Sequence, residues 1–180
     1  MSSITPRADV LWLAEYLYWL RDRILAIAGG LTDAQFLGTP AINGRDLRAT
    51  LVHELDVEIG WRARLQGEPP NRWNDESTLH PEAFPSLAAI EQRWRTDEAE
   101  MRGWLSGLTE ADLARTTTTS GLEGYSLGIY LMHAVEHGVG EFTNAAAILT
   151  AIGRSPGDLG LLDALDDLAP MPPGDDGNAE

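Results

Sequence analysis

Residues 126–153 read SLGIYLMHAVEHGVGEFTNAAAILTAIG, and no other stretch restricts the fold as tightly. It reads as one long helix carrying His133, His137 and Glu141 four residues apart. At about 3.6 residues per turn, each step of four advances only about 40° around the axis, so the three share a face. Ser126, Tyr130 and Asn144 fall on the same stripe. A long apolar helix has to be buried against other helices, but a face meant only for packing does not usually carry so many polar groups at that depth. Whatever fold the chain adopts must enclose this helix and still give its polar face a use.

The rest of the sequence supplies helical partners. Over residues 7–28, following Pro6, the positions Val10, Leu13, Leu17, Leu20 or Arg21, Ile24 and Ile27 recur at helical spacing, and Gly29-Gly30 ends the run. A second stripe, Trp12, Tyr16 and Trp19, suits either packing against a helix or long loop, or a subunit contact between two copies. After a connection broken by Pro40 and Asn43-Gly44, a second helix is predicted over residues 45–66, stopped by Gly67 and Pro69-Pro70. Residues 68–85 are rich in Pro, Asn and Asp and contain Trp73 and His80. They are too long for a tight reversal and imply a crossover along the bundle. A third helix is predicted from Ser86, a suitable N-cap, to Ser106, with Leu87, Ile90, Trp94, Met101 and Leu105 turned inward. The long helix comes next, then a short acidic-apolar turn around residues 159–168. The tail PMPPGDDGNAE is predicted to be disordered. Strand-like alternation is nearly absent. The expectation is an all-α fold: one domain over residues 1–168, built as a four-helix bundle, with a tail at 169–180.

Composition narrows the chemistry. The chain has 28 acidic against 13 basic residues, a net charge of −15, which disfavours nucleic-acid backbones and anionic membranes as partners. It has no cysteine, so a metal here must use His, carboxylate and water. The N-terminus lacks the basic-then-apolar pattern of a signal peptide, and no apolar run approaches the roughly 18 residues of a membrane span. A cytoplasmic protein acting on a small molecule is expected.

On the second helix, Ala49, His53, Val57 and Gly60 lie on one flank, with Trp61 at its edge. Small neighbours around a histidine leave room for an ion or small molecule. Two histidines at i, i+4 are a moderate signal alone; the addition of Glu141 and of His53 from another helix strengthens it, because bundles build metal sites from side chains on facing helices. Three protein ligands with open positions make a catalytic rather than a structural site. His80, beside Pro81 in the crossover, reads as an ordinary exposed histidine.

Two segments carry a family resemblance: LTDAQFLGTPAINGRDLRATLVHELDVEIGWRARLQGE, with its His followed eight residues later by Trp61, and SLGIYLMHAVEHGVGEFTNAAAILTAIGRSPGDLGLLD. On these the chain resembles the DinB/YfiT-like superfamily, which includes thiol-dependent S-transferases and the metal-binding N-terminal domains of mycothiol-dependent maleylpyruvate isomerase and ergothioneine synthase. The resemblance implies a bundle in up-down-down-up order. It also implies a divalent ion, nickel or zinc, held by one His of the second helix, here His53, and an H-x3-H pair of the last. Read literally, that pair is His133 and His137. Counted back from Gly153 it is His137 and Glu141, because EFTN stands where members read HRGQ; His133 then becomes a fourth ligand or a neighbour. The second register is preferred. A carboxylate ligand makes the ion less electrophilic than three neutral histidines would.

The function so implied is a metal-dependent transferase using a low-molecular-weight thiol, with Tyr130, Asn144, Arg64 and Trp61 as candidate pocket residues. A metal-dependent hydrolase is the alternative within enzymes. A dimeric ligand-binding or stress protein with a remodelled site is the alternative outside them, and a homodimer through the Trp12–Tyr16–Trp19 stripe is expected.

Overall fold

A computed structural model describes residues 6–67, 79–118 and 122–168. Trp73, most of the crossover and the 169–180 tail lie outside the described residues. Four long helices make up the bundle: α1 (Arg7–Ala28), α3 (Leu47–Leu65), α4 (Leu87–Ser106) and α6 (Leu127–Ala151). Three short helices join or cover them: α2 (Asp33–Leu37), α5 (Glu110–Ala114) and α7 (Leu161–Asp167). Among the described residues there is no strand, and no helix is long and apolar enough to cross a membrane.

Local chemistry accounts for the starts. Asp46 caps α3 by accepting from the Ala49 N–H at 2.7 Å, and Ser86 and Ser126 cap α4 and α6 in the same way. Thr32 with Gln35, and Thr109 with Asp112, form capping boxes that open α2 and α5. The second long helix begins two residues later than predicted. Asn43 and Gly44 take φ of 52° and 84°, and Ile42 and Arg45 exchange both backbone hydrogen bonds, at 2.9 and 3.2 Å. Two consecutive positive φ values with that pairing make a type I′ turn, which uses Arg45 as its last residue instead of its first helical one.

Side-chain partners fix the directions. Arg7 at the start of α1 donates to the carbonyls of Ser106, the last residue of α4, and of Leu108 just beyond it, and Arg21 pairs with Glu98, so α1 and α4 are antiparallel. Glu58 meets Trp94 and Arg62 meets Asp97, so α3 and α4 run parallel. Trp61 stacks near Tyr130 while His53 lies near His137, so α3 and α6 are antiparallel. The order is up-down-down-up, as the resemblance implies.

The main core gathers Leu17, Leu20 and Ile24 of α1, Leu47, Leu51 and Leu55 of α3, Ile90 and Trp94 of α4, and Phe142, Ala145, Ile148 and Leu149 of α6. Tyr16 is buried and donates to the Leu159 carbonyl at 2.9 Å, while Trp19 donates to Asp167 at 3.1 Å. The aromatic stripe of α1 is thus covered within the chain by the α7 segment, the packing alternative for that stripe.

One contact governs how close α6 comes to its neighbours. A Cβ built on Gly138 would lie 2.5 Å from Glu54 Oε1 and 2.6 Å from Leu17 Cδ1, and both residues are buried. Neither can yield without disturbing the core. Gly138→Ala is therefore expected to lower stability by about 1–3 kcal/mol, read as a lower denaturation midpoint with an unchanged slope against denaturant.

Candidate metal centre

Where α3 and α6 face each other, one nitrogen of His53, one nitrogen of His137 and one carboxylate oxygen of Glu141 lie within 4.8 Å of one another. His53 Nε2 stands 4.0 Å from Glu141 Oε1, and the two imidazole centroids are 5.5 Å apart. All three side chains are half-buried. A divalent transition ion sits about 2.0–2.2 Å from such donors, so a small inward movement of the side chains would bring the group onto one ion. Two imidazoles and one carboxylate are a donor set that suits a divalent transition ion. Among the described residues this is the group of His and acidic side chains that could hold a metal.

Beneath it lies a residue that pattern reading passed over. Glu54 is fully buried, and its Oε2 lies 2.9 Å from His137 Nδ1. With Nδ1 as donor to this carboxylate, Nε2 is the nitrogen left bare for an ion. The other Glu54 oxygen, Oε1, is buried without a hydrogen-bond partner beside Gly138. Burial pushes the Glu54 carboxyl well up from its ordinary range, against the pull of His137. One turn further on, Glu58 is also buried, accepts from Trp94 Nε1 at 3.0 Å and is raised by its own desolvation and by the charge of Glu54. The core face of α3 therefore reads Leu47, Leu51, Glu54, Leu55, Glu58. Two acids recurring in step with leucines were the available signal.

Arg45 is the second residue passed over. Its Nη1 lies 3.2 and 3.4 Å from the two oxygens of Glu141. The turn that presents it is tied to α6 by Asn43, whose side-chain amide donates to Asn144 Oδ1 at 2.8 Å. Asn144, expected to line a pocket, is thus engaged by this turn.

The other expected site residues lie towards the start of α6. His133 has a side chain 53% exposed, lies outside the three-residue group and has Nδ1 3.7 Å from Glu136. Trp61 stacks on Tyr130 at 5.8 Å, meets the edge of His133 at 5.2 Å and carries the Arg64 guanidinium 5.5 Å from its ring centre. Two clefts of about 330 and 290 Å³ run along the opposite α1/α4 groove, and no member of the metal group lines them. His80 is exposed.

The family model described as the DinB superfamily matches residues 16–139. The chain belongs to the DinB superfamily. The DinB match takes in the Asn43–Gly44 turn, Arg45, His53, Glu54, His137 and Gly138, and stops two residues short of Glu141. No curated protein matches the chain.

The two histidines differ in their electrostatics. The hydrogen bond that His137 donates to Glu54 raises it above the ordinary histidine value, whereas burial and the Arg45 charge lower His53. In the metal-free protein His137 should therefore titrate above about 6.5 and His53 below it. Glu54→Gln should bring the His137 midpoint down, because the neutral amide no longer favours the imidazolium. Histidine ring resonances followed by NMR against pH would show both effects; His137 titrating below His53 would contradict them.

Proposed function

We propose that this DinB-superfamily protein is a divalent-metal-dependent enzyme, most specifically a transferase that uses a low-molecular-weight thiol. The observation that carries this reading is the convergence of His53, His137 and Glu141 from two facing helices, with Glu54 holding the rear nitrogen of His137. The ion, zinc or nickel, would be held by those three side chains and would supply Lewis acidity that favours the thiolate of an incoming thiol over its neutral form.

The chain's own groups have separable tasks. Glu54 fixes the tautomer and ring orientation of His137, so that Nε2 is presented without rotameric search. The same carboxylate offsets imidazolium character on His137. Glu141 brings one negative charge into the ligand set, which reduces the net positive charge that an ion would leave at the site. Burial of all three ligands on their helix-facing sides limits access by water and strengthens each of these interactions. Trp61 lies about two turns from His53 and Tyr130 about two turns from His137. Their stack supplies one wall for an electrophilic acceptor, with Arg64 against the outer ring.

A thiol is a milder demand on such a site than water is. Its unperturbed pKa of about 8.5 lies far below that of bulk water, so an ion held by these residues, even moderated by a carboxylate ligand, would be enough to favour the thiolate, the proton being released to solvent. The same donor set could serve water activation for hydrolysis, and the two chemistries separate by experiment.

Protein purified without a histidine tag is expected to hold about one equivalent of a transition metal, or to take up Zn²⁺ or Ni²⁺ with a rise in melting temperature. His53→Ala and His137→Ala should each abolish that uptake, and His133→Ala should leave it intact. Retention below a tenth of an equivalent, with no thermal shift on adding either ion, would sink the metal reading. A panel of small thiols tested with a halogenated nitroarene, against the same mixture without thiol, then decides between transfer and hydrolysis.

A further inference from the structure

Arg45 is not needed to hold an ion, and by charge alone it works against one. A guanidinium beside Glu141 and close to His53 repels a divalent cation. The protein nevertheless places it there with care. The Asn43–Gly44 turn uses two positive φ values, and the Asn43–Asn144 hydrogen bond locks the turn to α6. In a chain with 28 acidic residues and 13 basic ones, a cation fixed at this point calls for an explanation in the site itself.

The contact with Glu141 does not use the guanidinium up. Only Nη1 meets the carboxylate, bridging both of its oxygens, in place of the paired two-nitrogen fork. Nη2 and Nε make no hydrogen bond among the described residues, and the side chain is 39% exposed. A planar pair of donors is therefore left unused by the contact with Glu141. Two imidazoles, the Glu141 carboxylate and the Arg45 guanidinium around a divalent ion sum to two net positive charges, or to one when the Glu54 carboxylate behind His137 is ionised. Either sum favours an anionic ligand in the open positions. Arg45 Nη1 lies 3.2 Å from Glu141 Oε1, which is 4.0 Å from His53 Nε2, so the guanidinium stands next to the ligand group.

We infer that Arg45 is a specificity-determining residue: the thiol co-substrate carries a carboxylate, which docks on the free edge of the Arg45 guanidinium while its sulfur faces the ion. The inference rests on the metal-and-thiol reading above. It adds the class of thiol, an acidic one, and the residue that selects it. Glu141 also gains a second role, because it holds the guanidinium plane in position before the thiol arrives.

The test uses the full chain loaded with Co²⁺, whose thiolate charge-transfer absorption reports sulfur at the ion without turnover. The probes are 3-mercaptopropionate and 2-mercaptoethanol, which differ in the carboxylate. The unaltered protein should bind the acidic thiol roughly tenfold to a hundredfold more tightly, the range expected for charge-assisted hydrogen bonds. Arg45→Gln should bring the ratio close to one, and Arg45→Lys should keep part of it, having the charge without the fork. Each ratio is taken within one variant at saturating Co²⁺, so changes in metal affinity cancel. Equal affinities in the unaltered protein, or a preference that survives in Arg45→Gln, would overturn the Arg45 assignment while leaving the metal centre standing. Absence of Co²⁺ uptake, or of any thiolate absorption, would instead remove the metal-and-thiol reading and this inference with it.

Discussion

The bond between Glu54 and His137 is where fold and chemistry depend on one another. A carboxylate that is fully buried is costly unless it is hydrogen-bonded and its charge is answered. Here the answer comes from an imidazole on another helix, so the electrostatics of α3 are satisfied only when α6 is in register. Gly138 permits that register by leaving room for Glu54 and Leu17 against the α6 backbone. Displacing α6 by one residue would turn His137 away, set Glu54 against apolar side chains and open the ligand group at once. Packing, charge and ligand orientation thus share one geometric condition.

The buried acids explain why α3 looks less amphipathic than its neighbours. A helix whose core stripe reads leucine, leucine, glutamate, leucine, glutamate has little contrast between faces. Its inward side becomes intelligible only when Trp94 and His137 are seen to satisfy the two carboxylates. Glu58 extends the polar interior away from the metal group towards Arg21, which is itself buried and paired with Glu98. The bundle therefore has an apolar core crossed by a set of ionisable groups held between the four long helices.

Much of this was legible beforehand, for identifiable reasons. The four long helices were announced by periodic apolar residues bounded by glycine and proline, and Ser86 marked the start of α4 correctly. Helical spacing put His133, His137 and Glu141 on one face with His53 on another helix, and the family resemblance, counted back from Gly153, preferred His53, His137 and Glu141, the three that lie together. The five-residue helices α2 and α5 escaped because so short a run has no measurable period, although their capping boxes, T-x-x-Q and T-x-x-D, were present. Glu54 escaped because a lone glutamate beside a histidine is usually solvated; only the third dimension shows it under the site. Arg45 escaped because it was read as the first residue of a helix, when the positive φ at Asn43 and Gly44 makes it the last residue of a turn. Arg64, expected at a pocket together with Trp61, lies over the Trp61 ring.

The turn at residues 42–45 separates two jobs that proteins often combine. Backbone handedness at Asn43 and Gly44, together with the Asn43 anchor on α6, decides where residue 45 stands; its side chain takes no part in the core. The backbone of the turn therefore does not depend on that side chain, whose ion pair is with Glu141. A different side chain there would inherit the same address beside the same three ligands, with a new charge, length or shape. The scaffold has a position at which its choice of small molecule can be rewritten one residue at a time, without renegotiating the bundle that holds the reactive groups.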